Sequence, residues 1–184
     1  MTLVISQGSS MHGLPTAFTI FASYKFGGIP LMVFVMLILY VIFHIRLRSS
    51  LFGRRVYAVG GNREAARVSG INCEKTVLFA YLQCGFLVGV AAFLQAARMN
   101  SFWASMGTDL EFLAIAGAIM GGTSMSGGSG SLIGTFSGVI LMGLINNSLN
   151  LLGVDANWQE AVRGTVILFT VIVDALRNRY SDIE

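Results

Sequence analysis

Long apolar runs separated by polar stretches dominate the pattern of this chain. A membrane-spanning helix requires about 20 mostly apolar residues, and residues 29–45 and 76–97 each provide such a run without a charged side chain. Pro30 falls in the first turn predicted for the first run, where its missing N–H costs little. Both runs are therefore predicted to cross a membrane as α-helices.

Three more apolar stretches follow, and the first of them is short. Residues 110–120 are too few to cross a bilayer alone and run into a glycine-rich stretch, so we expect a short or broken span there. Residues 132–152 form a good span, and residues 161–176 form the last one. The pattern thus predicts an all-α fold: a polytopic transmembrane helical bundle of about five crossings, with residues 1–184 as a single domain.

The composition excludes a soluble globular domain. Hydrophobic residues make up 54% of the chain and charged residues only 11%, whereas a soluble domain carries about 25% charged residues. The net charge of +3 comes from basic residues beside the apolar runs, where anionic lipid and membrane orientation account for them. We therefore expect the lipid bilayer, and no nucleic acid, as a partner.

The basic residues orient the predicted helices. The polar stretch 46–75 holds only two acidic residues against seven basic ones: Arg46, Arg48, Arg54, Arg55, Arg63, Arg67 and Lys75. Because loops rich in Lys and Arg stay on the cytoplasmic side, residues 46–75 are predicted to be a cytoplasmic loop. Alternating crossings then place residues 1–28 outside and the C-terminal tail inside. Trp103 and Trp158 fall in outer loops, where aromatic rings favour the membrane interface.

The predicted topology begins on the outer side of the membrane. Residues 1–15 lack the basic start and the apolar core of a secretory signal peptide. A short polar segment can be translocated, but a missing upstream span is the easier explanation. We therefore expect a partial chain.

Residues 60–70 carry the start and stop signals of a short helix. Asn62 suits the N-cap, and Glu64 in the first turn and Arg67 in the last complement the helix dipole. Gly70 supplies the C-terminal stop. A helix of about two turns is marginal in water on its own, so it must be held by packing against the membrane domain or a partner. Two interpretations stay open: a surface helix of the loop, or a docking element for a soluble subunit.

Longer segments resemble the ribose-type permeases of ABC importers. The likeness is carried, in the order and spacing of that family, by FGRRVYAVGGNREAARVSGI at 52–71, AIMGGTSMSGGSGSLIGTFSG at 118–138 and LINNSLNLLGV at 144–154. GLPTAF at 13–18 also resembles the outer loop ahead of a span in that family. The likeness covers nearly the whole chain, but it corresponds only to the C-terminal half, or somewhat more, of a family member.

The resemblance implies a multi-pass permease subunit of the bacterial cytoplasmic membrane for a monosaccharide or similar small solute. The implied partners are a second permease subunit, a cytoplasmic ATP-binding subunit and an extracytoplasmic solute-binding protein. ATP is bound by the partner, so no cofactor is expected here. Residues 46–75 become the coupling loop, and residues 62–69 become a coupling helix seated in a groove of the ATPase. The coupling residues are Gly61, Asn62, Glu64, Ala65, Ala66, Arg67 and Gly70.

The glycine-rich stretch 121–130 lacks the Gly-Lys-Ser/Thr ending of a phosphate loop and follows an apolar helix. In lipid, small residues four apart create close helix contacts. Two such series occur: Gly130, Gly134 and Gly138, and Gly85 with Gly89. A broken helix lining the translocation pathway is the other interpretation, because irregular backbone at membrane depth survives only inside protein or beside water. The candidate pathway residues are Gly121, Gly122, Ser124, Asn146, Asn147 and Asn150.

The asparagines Asn146, Asn147 and Asn150 cluster toward the predicted outer end of the fourth span. Polar groups in a membrane need partners. The hydroxyls of a sugar and hydrogen bonds between helices would serve equally well, so both interpretations stay open.

No acid, base or nucleophile arrangement converges in the sequence, and Cys73 and Cys84 have neither disulfide nor metal spacing. We therefore predict no enzymatic activity, no catalytic residue and no metal site. Two other functions compete with sugar import. One is a permease of the branched-chain amino acid importer class. The other is a non-transporting scaffold, or the remnant of a split permease gene.

Overall fold

A computed structural model describes residues 11–12, 24–102, 106–108 and 110–181. The helices in chain order are α1 (Leu31–Ser49), α2 (Leu51–Gly61), α3 (Arg63–Val68), α4 (Cys73–Met99), α5 (Leu110–Met120), α6 (Leu132–Leu151) and α7 (Ala156–Ser181). The same part of the chain contains four two-residue strands, β1 (Met11–His12), β2 (Lys25–Phe26), β3 (Ile29–Pro30) and β4 (Ser101–Phe102). Residues 13–18, predicted to be an outer loop, and Trp103 lie outside the described residues.

The predicted apolar spans correspond to helices. α1 covers most of residues 29–45, but Pro30 is its N-cap and lies one position before the first turn, in which it was predicted. α5 has the predicted bounds, and α6 ends one residue earlier than predicted. Within the described residues, α1, α4 and α6 are long and apolar enough to cross a membrane. The polytopic helical membrane fold predicted from the sequence is confirmed.

α7 contains the predicted fifth crossing, residues 161–176, and is less apolar than the other long helices. Arg163 stands near the start of that crossing and Asp174 near its end, so the longest uncharged run within it is residues 164–173. Because of these charges, α7 falls outside the group of helices that could cross by length and hydropathy alone. A crossing at α7 stays a prediction.

The chain divides by its contacts into two units, and the first comprises Met1–Gly53 and Asn72–Thr108. In its described part, β2 and β3 pair antiparallel just before α1, and β4, which follows α4, pairs antiparallel with β1. Many large apolar side chains of α1 and α4 are exposed. Such exposure is expected of helices that lipid or another chain covers. The single domain predicted from the sequence stays a prediction.

The second unit comprises Arg54–Ile71 and Asp109–Glu184. α5 packs mainly against α6 and also against α7. Ala116 and Ile119 of α5 and Met142 of α6 are buried and form its apolar core. The glycine-rich residues after Met120 form a turn and do not continue α5, so the short helix predicted there is confirmed.

Candidate functional site

The end of α2 touches the glycine-rich turn between α5 and α6. A Cβ added to Gly60 would lie 2.7 Å from the backbone nitrogen of Gly128, and one added to Gly127 would lie 2.6 Å from the carbonyl oxygen of Gly60. Non-bonded atoms normally pack at about 3.5–4.0 Å between carbons, so no side chain fits here. We call this contact of Gly60 and Gly61 with Gly127 and Gly128 the glycine joint.

Backbone conformation also selects glycine on the turn side of the glycine joint. The φ angle is +91° at Gly127 and +75° at Gly128, in the region that residues with a Cβ rarely adopt. Gly122, in the same turn, has a φ of +84°, but a Cβ added there would meet nothing within 4 Å. Gly127 and Gly128 are therefore required by conformation and by close contact, whereas Gly122 is required by conformation alone.

A tyrosine hydrogen bond lies beside the glycine joint. The hydroxyl of Tyr57, in α2, donates to the carbonyl oxygen of Gly130 at 2.8 Å in a half-buried position. The two residues are 73 positions apart, and this contact of Tyr57 was not predicted from the sequence. The one available signal was its place three residues before Gly60, on the same helix face.

Both ends of α3 are capped as the sequence predicts. The backbone N–H of Ala65 donates to Oδ1 of Asn62 at 2.9 Å. At the C-terminal end, Gly70 has a φ of +81°, and the N–H of Ile71 donates to the carbonyl of Ala66 at 3.0 Å, which is the longer bond of a Schellman motif. These caps fix the start and the end of a helix only six residues long.

The side chains of α3 divide into a buried and an exposed set. Ala66 is only 4% exposed, so little of its side chain is open to a partner, and its coupling role stays a prediction. The other predicted coupling residues are exposed: Gly61, Asn62, Glu64, Ala65, Arg67 and Gly70. Val68, which lies in the predicted coupling helix 62–69 but was not among its named residues, is 87% exposed. The exposed surface of α3 therefore contains one large apolar side chain, Val68, among polar ones.

α5 and α6 meet through glycines on both helices. A Cβ added to Gly138 would lie 2.1 Å from the carbonyl oxygen of Gly117, and one added to Gly134 would lie 2.0 Å from that of Gly121. The predicted packing face at Gly134 and Gly138 is confirmed. Gly130, predicted as part of the same face, lies in the turn before α6 and not on the helix. The prediction was wrong there because the helix starts only at Leu132.

The glycine and serine residues predicted to line a pathway lie in different environments. Gly121 belongs to the α5–α6 contact, whereas Gly122 is open to its surroundings. The N–H of Ser124 donates to a carbonyl within the turn at 3.1 Å. On α4, a Cβ added to Gly85 or Gly89 would meet nothing within 4 Å among the described residues, so the packing predicted for them has no partner there. A pathway role for these residues stays a prediction.

Two of the three clustered asparagines bind side chains of α7. Nε and Nη2 of Arg163 both donate to Oδ1 of Asn146, at 3.2 and 2.8 Å. Gln159, only 8% exposed, donates to Oδ1 of Asn150 at 3.1 Å. Asn147 is exposed. These bonds agree with hydrogen bonding between helices, and contact with a solute stays a prediction.

A cavity of about 380 Å³ lies between α5 and α7, lined by Phe112, Glu160, Arg163, Gly164 and Ile167. Glu160 and Arg163 supply its charged groups, and the remaining lining is apolar. Among the described residues, no three of His, Cys, Asp or Glu lie together in a way that could hold a metal ion. The described part of the site therefore offers packing surfaces, hydrogen bonds and two opposite charges.

Comparison with known proteins relates most of the chain to membrane permeases. A profile of the family described as "Branched-chain amino acid transport system / permease component" matches residues 2–171. The ribose import permease protein RbsC of Bacillus subtilis is 40% identical over 180 residues, which are 97% of this chain and 56% of that protein. RbsC of Escherichia coli (strain K12) is 39% identical over 181 residues, 95% of this chain and 56% of that protein.

The xylose transport system permease protein XylH of Haemophilus influenzae is 38% identical over 152 residues, which are 83% of this chain and 40% of that protein. The chain spans about half the length of the curated relatives it matches. No solved structure matches it at a significant level.

Proposed function

The chain belongs to the branched-chain amino acid transport system / permease component family, and from that premise we propose that it is a transmembrane permease subunit of an ABC importer in the bacterial cytoplasmic membrane. The solute is a monosaccharide or a similar small molecule, since the relatives described above are named for ribose and xylose. This chain contributes helices to the solute's path, and a partner subunit binds ATP. No enzymatic activity is assigned to this chain.

The proposed topology places residues 46–75 in the cytoplasm. Its support is the excess of basic residues in that stretch. The glycine joint supports it further, because it brings the end of α2 against the turn between α5 and α6. Alternating crossings from a cytoplasmic loop put that same turn on the cytoplasmic side. The count of crossings, which does not use this contact, thus assigns both touching segments to the cytoplasmic side.

The exposed face of α3 is the observation that carries the proposal. Val68 is 87% exposed, on a capped helix that is too short to be stable without other contacts. Burying a valine side chain against a partner is worth about 1.5–3 kcal/mol. Ala65, also exposed, is small enough to let a partner surface come close. The face therefore suits a groove on a cytoplasmic ATP-binding subunit.

The complete importer contains further partners. A second permease subunit covers part of the apolar surface of this chain, and an extracytoplasmic binding protein delivers the solute. The candidates for contact with the passing solute are Gly121, Gly122, Ser124, Asn146, Asn147 and Asn150. The family description alone favours a branched-chain amino acid as the solute, and a non-transporting scaffold is the remaining candidate.

The docking role is tested by adding a charge to the exposed face of α3. Ala65→Arg and Val68→Asp should each lower the amount of ATP-binding subunit that copurifies per folded chain, by about tenfold in affinity if about 1.4 kcal/mol is lost. Ala58→Arg, a change at an exposed alanine of α2, is the matched control and should leave copurification unchanged. Parent-level copurification in both α3 variants would contradict the docking role.

Uptake measurements separate the remaining candidates. Membrane vesicles containing the complex are supplied with ATP and with labelled ribose, xylose or leucine. Sugar uptake that exceeds leucine uptake supports the proposal, and the reverse favours the amino acid class. If there is no ATP-dependent uptake and no ATP-binding subunit is bound, the non-transporting scaffold is the remaining candidate function.

A further inference from the structure

The α2–α3 segment has no flexible linker between the docking helix and the glycine joint. The N–H of Asn62 donates to the carbonyl of Ala58 at 3.1 Å, and the carbonyl of Asn62 accepts the N–H of Ala66 at 3.0 Å. Backbone hydrogen bonds therefore continue from α2 into α3 through the single residue between them. A displacement of α3 must reach Gly60, two residues before Asn62.

The turn on the other side of the glycine joint is equally constrained. The N–H of Gly121 donates to the carbonyl of Gly117 at 3.0 Å, so the start of the turn is tied to α5. The hydroxyls of Thr123 and Thr135 form a 3.1 Å hydrogen bond between the turn and α6. A displacement of this turn therefore moves the ends of α5 and α6 with it.

Between these two segments the contact is made by backbone atoms. A Cβ added to Gly128 would lie 2.6 Å from the Cα of Gly61. Where long side chains form a contact, a rotamer change absorbs a small displacement, but glycines have no rotamers. The hydrogen bond from Tyr57 to the carbonyl of Gly130 resists separation of the two segments. The contact thus resists compression at the glycines and separation at the tyrosine.

We infer that the glycine joint, with the Tyr57 hydrogen bond, transmits movement of α3 to the α5–α6 pair during transport, which makes Gly60 and Tyr57 positioning residues. The inference rests on the proposed function, because it takes α3 as the place where an ATP-binding subunit applies force. The inference further names the contact through which this force passes from α3, the glycine joint, and the helices that receive it, α5 and α6.

The sharpest test compares two helical glycines that differ in what an added methyl group would meet. Gly60→Ala places a methyl group 2.7 Å from the nitrogen of Gly128, whereas Gly143→Ala, in α6, places one where nothing lies within 4 Å. The complex is purified through a tag on this chain and reconstituted in liposomes. Bound ATP-binding subunit, melting temperature and solute imported per ATP hydrolysed are measured, normalised to folded chain.

We expect Gly60→Ala to keep bound subunit at the parent level and to lower solute imported per ATP by about fivefold, within the usual range of coupling energies. Gly143→Ala should stay near the parent ratio. A parent-level ratio in Gly60→Ala would overturn the inference. A purely structural contact predicts that solute imported per ATP falls only in proportion to bound subunit and melting temperature. That result would also overturn the inference.

Two further pairs keep the test decisive if Gly60→Ala does not fold. Tyr57→Phe removes only the hydroxyl that reaches Gly130, and Tyr81→Phe, at a 74% exposed tyrosine of α4, is its control. Gly128→Ala and Gly153→Ala are at similar positive φ angles, but only the first would meet another segment. In each pair only the first variant should lower solute imported per ATP, and equal ratios within both pairs would overturn the inference.

The two proposals fail in different ways. If the parent complex contains no ATP-binding subunit and imports nothing, the proposed function is wrong and the inference falls with it. If the parent binds the subunit and imports solute while all the joint variants import as well as the parent, only the inference is wrong.

Discussion

Gly117 and Gly138 approach each other so closely across α5 and α6 that a Cβ on Gly138 would lie 2.1 Å from the carbonyl oxygen of Gly117. Helices in lipid gain little from the hydrophobic effect between them and depend on close van der Waals packing. Backbones at this distance can add weak Cα–H···O contacts. The two glycines are therefore a major source of attraction between these helices.

Gly138→Ala should lower the stability of the solubilised protein by about 1–3 kcal/mol, because the methyl group overpacks the contact. Gly138→Leu and Gly134→Leu should lower it further. Gly143→Ala, on the same helix but with nothing within 4 Å of the added Cβ, is the control and should not lower the melting temperature. The melting temperatures are read by size-exclusion chromatography after heating. Equal melting of Gly138→Ala and Gly143→Ala would contradict the packing role.

Asn146→Ala should destabilise the α6–α7 pair by about 1–3 kcal/mol, because the half-buried guanidinium of Arg163 loses its acceptor. Asn147→Ala, at the exposed neighbouring position, should have little effect on melting temperature. Solute uptake per folded chain is measured in parallel. Loss of uptake in Asn146→Ala at an unchanged melting temperature would show that Asn146 serves the solute and not the helix pair.

Asn62→Ala should weaken the N-terminal cap of α3 by about 1 kcal/mol. Hydrogen exchange should be faster at the amide of Ala65, because in the parent protein this N–H donates to Oδ1 of Asn62. Asn62→Ser should restore most of the protection, because a serine hydroxyl can accept the same N–H. Equal exchange in the alanine and serine variants would mean that the cap does not stabilise the helix.

Single-cysteine labelling tests the proposed topology. In a chain carrying Cys73→Ala and Cys84→Ala, an impermeant thiol reagent added to intact cells should label Asn157→Cys and spare Glu64→Cys, since both positions are exposed but are assigned to opposite sides. Inside-out vesicles should give the opposite pattern. Labelling of position 64 in intact cells would reverse the topology.

Patterns that depend on neighbouring residues were predicted well from the sequence. The bounds of α5, the cap at Asn62 and the stop at Gly70 all follow from local chemistry: apolar length, a side chain that accepts a backbone N–H, and a residue that tolerates positive φ. The packing glycines of α6 were also found, because their spacing of four places them on one helix face.

Contacts between distant segments could not be predicted in the same way. Tyr57 has no local feature that indicates Gly130 as its acceptor, and Arg163 has none that indicates Asn146. Ala65 and Ala66 are adjacent residues of the same type, and only the folded structure shows that Ala66 is buried and Ala65 is exposed. The spacing of four that identified Gly138 also included Gly130, although α6 begins only at Leu132. The start of a helix depends partly on the preceding turn, which the spacing does not describe.

The brevity of α5 has a consequence for biosynthesis. Its 11 residues rise about 16 Å at 1.5 Å per residue, about half of the hydrocarbon thickness of a bilayer. A segment of that length gives the insertion machinery too little apolar surface to hold in lipid by itself. α6 begins after 11 more residues and presents glycines that α5 can pack against as soon as α6 has been made. We therefore expect the ribosome to deliver α5 and α6 as one hairpin, with α5 waiting at the translocon until α6 has been made.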